Sequence, residues 1–397
     1  MKKKILLIPL ALLLVISLVA IGCPAPAPPP PPAPPAPPPA PPAPPPAPPP
    51  APRVPTLAEP MTMEEIEAAL APLRGREMVV VSWGGAYQRA QTDAFLDPFA
   101  EKFGINVIQE SPTDLAKIMA MVDAGSTTWD VVDVESREPE MLGPAGYLEE
   151  LDYTIIDSRD TVSQGVYPWA IACIFWSTPL IYHEEAFPEG GPQSWADFWD
   201  VEKFPGPRSL RNHPYGNLIF ALVADGVPVD QIYPMTEEKV DRAFRKLDEI
   251  KPHITVWWTS GSQPVQLLAT EEVVMASAYN GRVFELQQEG IPLKIVWNGA
   301  HASMDFWIIP KGAPNKDVAM LFVAWSTLPE IQAHITEFIP YGTPNALAVP
   351  FIDPTWEPAA DLPSDPENLA VQVIVDGVWW GENLEQLLER WHEWILE

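Results

Sequence analysis

The sequence predicts an α/β protein of two lobes with a cleft between them. Strand and helix signals alternate as βαβαβ between Glu77 and Val134, a pattern that builds a parallel, doubly wound sheet. A second α/β stretch begins near Ile181, and the chain later returns to an apolar strand, so more than one segment crosses between the two units. Roughly 340 residues remain once an N-terminal leader and spacer are set aside, enough for two medium lobes with a substantial core.

Taken in order, residues 61–73 read as a short amphipathic helix with acidic residues near its start. Residues 77–82 form a short buried strand, and residues 86–103 carry Ala90, Phe95 and Phe99 at helical spacing. A strand at 104–108, a helix at 115–124 and a strand at 129–134 complete the first alternation. Ligands of such sheets bind outside the carboxyl ends of the strands, which places Ser82-Trp83-Gly84-Gly85 and Val134-Glu135-Ser136 at one mouth. Further helices are expected at 194–199, with Ser194 as N-cap, and at 237–249; strands are expected at 254–257, 273–278 and 294–297. A strand at 306–309, a helix at 315–327 and a closing helix at 383–396 follow. The expected division is residues 76–180 plus about 305–345 in lobe 1, and about 181–304 plus the C-terminal helices of 346–397 in lobe 2.

The N-terminus predicts export. Lys2, Lys3 and Lys4 precede an apolar run from Ile5 to Val19 and then Ala20-Ile21-Gly22-Cys23, which resembles a bacterial lipobox with Ala20 where leucine is commoner. Residues 1–22 are thus expected to be a lipoprotein signal peptide, with Cys23 lipidated and the protein tethered outside the membrane, periplasmic or at the cell surface. An uncleaved anchor is the alternative and leaves the domain on the same side. Residues 23–56 form a Pro/Ala-rich tether; proline fixes φ and removes a donor, so the segment is expected to extend as polyproline II.

Composition narrows the function. Lys and Arg number 24 against 53 Asp and Glu, a formal charge of −29, which excludes nucleic acid as a natural partner. With Cys23 lipidated, Cys173 has no disulfide partner, and its apolar surroundings predict a buried inert thiol. The six histidines include no i, i+4 pair, and Gly-x-Ser-x-Gly, His-Glu-x-x-His, Gly-x-x-x-x-Gly-Lys and Cys-x-x-Cys are all missing, so no enzyme, metal or cofactor is expected. Sixteen tryptophans keep a carbohydrate-binding or hydrolytic lipoprotein open as a lesser reading.

The landmarks Val81-Ser82-Trp83-Gly84-Gly85-Ala86-Tyr87-Gln88, Trp129-Asp130-Val131-Val132, Ser194-Trp195-Ala196-Asp197-Phe198-Trp199, Tyr279-Asn280-Gly281-Arg282, Met304-Asp305 and Tyr341-Gly342-Thr343-Pro344-Asn345 occur in this order. On them the chain resembles the solute-binding proteins of ABC importers, in the branch that includes spermidine/putrescine receptors. The resemblance implies a two-lobed periplasmic-binding-protein fold (type II) that closes about a hinge and delivers its solute to a membrane permease. It also implies ligand contacts: Trp83 and Tyr87 as aromatic walls, Asp305 as partner of an ammonium, and Tyr341 as a stacking or hydrogen-bonding group. Glu135, at the mouth read from the strand ends, and Tyr279 are expected to join them as ligand-binding residues. Trp257, preferred over Trp258, would supply a second wall. Arg282, beginning a helix after the Tyr279 turn, and Arg211 depart from a polyamine pattern, because guanidinium repels an amine and clamps a carboxylate. Ala302-Ser303 likewise replaces the aromatic that polyamine receptors carry before Met-Asp. Two solutes are therefore expected in turn: a polyamine such as putrescine or spermidine, and, as the alternative, a zwitterionic amino-acid derivative.

Overall fold

The computed structural model describes residues 60–397; the leader, Cys23 and the tether lie outside the described residues. Among the described residues, ten strands assemble into one sheet. In chain order they are β1 (Glu77–Val81), β2 (Asn106–Glu110), β3 (Val131–Glu135), β4 (Val166–Tyr167), β5 (Ala170–His183), β6 (Arg208–Arg211), β7 (Ile254–Trp258), β8 (Met275–Ser277), β9 (Leu293–Ile308) and β10 (Val373–Ile374). Their spatial order is β2-β1-β3-β9-β5-β8-β6-β7, with β10 added to β9 and β4 to β5.

The two lobes are two parallel half-sheets. β1 pairs in parallel with β2 and β3, and β6 in parallel with β7 and β8. Between them run β5 and β9, 14 and 16 residues long and antiparallel to each other. The C-terminal end of β9 pairs with β3, from Val132↔Ile308 to Glu135↔Asp305, and that of β5 pairs with β8 through Leu180↔Ser277. Both strands therefore belong to both lobes and form the crossing. All of β5 is buried, which suits a strand covered on both faces and read in sequence as a continuous apolar run.

Three differences from expectation have local causes. The strands expected at 294–297 and 306–309 are one strand, because pairing jumps from Thr178↔His301 to Leu180↔Val296 and residues 297–300 bulge out with Gly299 at φ +72°. The helix expected over 86–103 runs through but widens to a π turn at Thr92–Leu96 between Gly85–Gln91 and Asp97–Phe103. Pro98 lacks an N–H and crowds the carbonyl four residues back, which the wider turn relieves. The third difference concerns the C-terminal region, which does not belong wholly to the second lobe. The turn Ala346–Phe351 follows a bridge between Thr161 and Asn345 and packs on the helix Pro329–Gln332 of the first lobe.

The closing helix, Gly377–Leu396, begins earlier than expected because Asp376 caps it, accepting from Trp379 N at 3.0 Å. Its Trp391 and Trp394 meet Trp257 edge-on, at ring separations of 5.6 and 5.7 Å, and both also reach Phe244. These aromatic contacts staple the helix to the β6–β8 lobe. No helix among the described residues is long and apolar enough to cross a membrane.

Candidate functional site

A cavity of about 210 Å³ opens where the crossing strands meet both lobes. Its first wall comes from the turn after β1. Gly84 sits at φ +76°, ψ −174°, backbone that a residue with a Cβ avoids, and the helix that starts at Gly85 then turns Tyr87 toward Trp83. Their polar ends converge on a single carboxyl group: Trp83 Nε1 donates to Asp133 Oδ1 at 2.9 Å, and the Tyr87 hydroxyl donates to Asp133 Oδ2 at 2.6 Å. Gln91 Nε2, one turn further along, donates to the same Oδ2 at 2.6 Å.

The floor is acidic because of strand parity. Asp133 and Glu135 lie two residues apart on β3 and so share a face, and Glu135 stands opposite Asp305 on β9. Asp133 and Asp305, both buried, approach within hydrogen-bonding reach of each other. Trp176 Nε1, from β5, donates to Asp305 Oδ1 at 2.7 Å. Burial pushes the Asp133 carboxyl up to about 6, against the pull of its donors. Burial, reinforced by the charges of Asp133 and Glu135, drives Asp305 well above the usual carboxylate range. Cys173 lies buried beside the pair, its thiol 3.3 Å from the Asp305 carbonyl oxygen, and burial raises its pKa as well.

Glu135 behaves differently. Burial disfavours its charge, but the neighbouring Arg137 and Arg211 guanidiniums outweigh that and hold it below the usual range. It pairs directly with Arg137, which also reaches Glu138 at 2.9 Å. Glu138, buried beside Glu135, is pushed up to about 8.

The second lobe supplies a cation. Asn280 is pinned, its Oδ1 accepting from Ser177 N at 3.0 Å and its Nδ2 donating to the Pro340 carbonyl at 2.5 Å. This anchors the helix Asn280–Gln288 and with it Arg282 at the cavity wall. Among the described residues Arg282 forms no ion pair. Tyr279 and Tyr341 complete the wall, Tyr341 meeting Tyr87 edge-on at 5.5 Å. Gly342, the next residue, exchanges backbone hydrogen bonds with Phe175 of β5, at 2.8 and 2.7 Å, which fixes where Tyr341 stands.

Trp83, Tyr87, Glu135, Tyr279, Arg282, Asp305 and Tyr341 thus line one cavity. Arg211 stands outside its lining, its guanidinium 5.6 Å from the Trp258 ring, with its charge acting on Glu135 and Tyr279. Trp257 does not face the cavity: it packs on Trp391 and Trp394, while its neighbour Trp258 is the one beside Tyr279, at 5.8 Å. Alternation along β7 puts the two indoles on opposite faces, and the closing helix occupies the face of Trp257. Asp133, Gln91 and Trp176 are participants that the sequence reading passed over. The signal for Asp133 was an acid inside the apolar strand Val131-Val132-Asp133-Val134, spaced two from Glu135; Trp176 sits in a continuous apolar run and carries no comparable signal.

Similarity to known proteins runs along nearly the whole described chain. A family profile described as "Bacterial extracellular solute-binding protein" matches residues 94–367. The gamma-aminobutyric acid-binding protein of Pseudomonas aeruginosa is 39% identical over 333 residues, covering 82% of this chain and 93% of that protein. An ABC transporter substrate-binding protein from Bradyrhizobium japonicum USDA 110 has a crystal structure that superposes with a TM-score of 0.77 at 42% identity, over 81% of this chain and 99% of its own. The Atu4243-GABA receptor superposes with a TM-score of 0.73 at 37% identity, over 81% and 98%. The spermidine/putrescine-binding periplasmic protein of Escherichia coli K12 is more distant, 24% identical over 298 residues, or 72% of this chain and 82% of that protein. The sheet, the interlobe cavity and these matches agree: the chain belongs to the bacterial extracellular solute-binding proteins, the two-lobed substrate-capturing components of ABC transporters.

Proposed function

We propose that this protein captures a small zwitterion with one ammonium and one carboxylate, an amino-acid derivative of the 4-aminobutyrate kind, and presents it to a membrane ABC permease. The observation that carries this reading is the pairing, within one aromatic-walled cavity, of Asp305 on the crossing strand β9, backed by the buried Asp133 carboxyl of β3, with Arg282 on the second lobe. The ammonium meets Asp305, with the Asp133 carboxyl buried behind it; the carboxylate meets the Arg282 guanidinium through parallel hydrogen bonds. Trp83, Tyr87, Tyr279 and Tyr341 cover the methylene chain between. The relatives named for gamma-aminobutyric acid, at 39% and 37% identity, support this solute class.

The polyamine, the first expectation from sequence, gives way to this alternative. A diamine needs a second free carboxylate, and Glu135 is already tied to Arg137, while Arg282 and Arg211 repel a second ammonium. Export and lipid attachment at Cys23 remain part of the proposal, with the Pro/Ala-rich segment as spacer. Calorimetric titration with 4-aminobutyrate, putrescine, spermidine and a set of amino-acid derivatives tests the solute class. Saturable binding of 4-aminobutyrate or a close derivative is expected, at about −8 kcal/mol for a micromolar constant. Tighter binding of putrescine than of every zwitterion would overturn it.

A further inference from the structure

We infer that Asp133 and Asp305 hold one proton between them and act on the solute as a single negative charge, with Asp305 the protonated member both before and after capture. The inference rests on the zwitterion reading for its ligand, but its structural basis is independent of it. Hydrogen-bond donors are distributed unequally. Asp133 accepts from Trp83, Tyr87 and Gln91, a set that fits an ionised carboxylate, which has only acceptors to offer. Asp305 accepts from Trp176 alone on Oδ1, which leaves its second oxygen to carry a proton toward Asp133. Two facing carboxylates in a buried site cannot both ionise cheaply, and such pairs lose their protons in two well-separated steps.

The charges around Asp305 point the same way. Asp133 and Glu135 face it from β3, Cys173 and Trp176 from β5, and Tyr87, Tyr341 and Arg282 from the remaining walls. Glu135 is neutralised by Arg137, so a pair of charge minus one beside a single ammonium leaves that end of the cavity balanced. A doubly ionised pair would leave an excess buried negative charge, the costlier arrangement. Asp133 thereby becomes a specificity-determining residue: it sets the number of ammonium groups the acidic end accepts at one.

The test uses Asp305→Asn, whose amide reproduces a protonated carboxyl, accepting from Trp176 and donating to Asp133. Infrared difference spectra between wild type and this variant near pH 7 are expected to show a protonated-carboxyl band that persists when 4-aminobutyrate is added. Calorimetry is expected to show the variant losing up to about tenfold in 4-aminobutyrate affinity, because a hydrogen bond to the ammonium is altered while the pair's charge is kept. If Asp305 were an ionised partner of the ammonium, removing its charge would weaken binding by about a hundredfold or more. No protonated-carboxyl band, or that hundredfold loss in a folded variant, overturns the inference. Failure of wild type to bind 4-aminobutyrate would sink the solute reading instead, and the infrared band of the empty protein would still decide the proton's place.

Discussion

Arg282→Gln is the substitution that bears most directly on the solute. The side chain lies partly exposed at the cavity wall on a helix held by Asn280 bonds to Ser177 and Pro340, so its replacement leaves the helix anchored. Arg282 forms no ion pair among the described residues, so removing it strands no protein carboxylate. What is lost is the interaction with the solute's carboxylate. Truncating one member of a desolvated charge pair costs about 2–5 kcal/mol, or roughly thirtyfold to several thousandfold in dissociation constant. Arg282→Lys should recover part of that, because a lysine ammonium keeps the charge and loses the two-pronged geometry. Titration calorimetry with 4-aminobutyrate measures the loss, with n-butylamine, which has no carboxylate, as the comparison ligand. Arg282→Gln should leave the weak binding of the amine unchanged or strengthened. A change of less than about threefold for 4-aminobutyrate, in a variant with unaltered melting temperature, refutes the assignment of Arg282 to the carboxylate.

Gly281→Ala should weaken solute binding by about 1–3 kcal/mol, read by the same titration. A Cβ there falls 2.7 Å from the Tyr341 ring and 3.0 Å from Ile339, and Tyr341 cannot retreat while Gly342 is paired to Phe175. Trp391→Ala should cost about 3–5 kcal/mol of stability in urea titration yet leave the affinity of the folded protein nearly intact. Its fully buried indole packs on Trp257 and Phe244, on the face of β7 turned away from the cavity. His301→Leu should flatten the acid side of the stability profile, measured by melting temperature from pH 6.5 to 4. Burial, aided by the nearby Arg211 charge, holds folded His301 at about 3 against 6.5 in the unfolded chain. The unfolded chain therefore takes up the proton first as pH falls, and wild type loses up to about 1.4 kcal/mol per pH unit below 6.5 from this residue. Asp133, raised to about 6, works in the opposite direction between 3.8 and 6, so the difference between variant and wild type is the quantity to follow.

The first lobe was legible because each of its strands is short and bounded by a helix of clear period. β5 was not, since a strand buried on both faces has no alternation to read, and β9 was split by the polar and small residues of its bulge. Trp83, Tyr87, Glu135 and Arg282 could be placed from their positions at element ends, where a doubly wound sheet opens its cleft. The choice between Trp257 and Trp258 turned on strand parity. The register Arg211↔Trp258 sets it, and register is a tertiary fact that one strand's sequence does not contain. Asp133 shows the deeper limit: its donors lie 42 to 50 residues away along the chain, so nothing local marks it as the hub of the wall.

The placement of the acidic pair ties capture to closure. Asp305 and Trp176 stand on β9 and β5, the two strands that run through both lobes, and Asp133 and Glu135 stand on the strand that pairs with β9. Arg282 and Tyr279 come from the second lobe, and Trp83 and Tyr87 from the first. A solute held by Asp305 alone would make the same contacts in the open and closed forms and so shift nothing between them. Only a solute long enough to touch Arg282 as well gains extra contact on closing, and its differential binding then sets the closed population. On this geometry the length of the methylene chain between ammonium and carboxylate governs both affinity and closure. A homologous series of ω-amino acids should therefore show one optimum, at the same chain length, in calorimetric affinity and in the compaction seen by small-angle X-ray scattering. Optima at different lengths would separate gripping from closing and break the link between them.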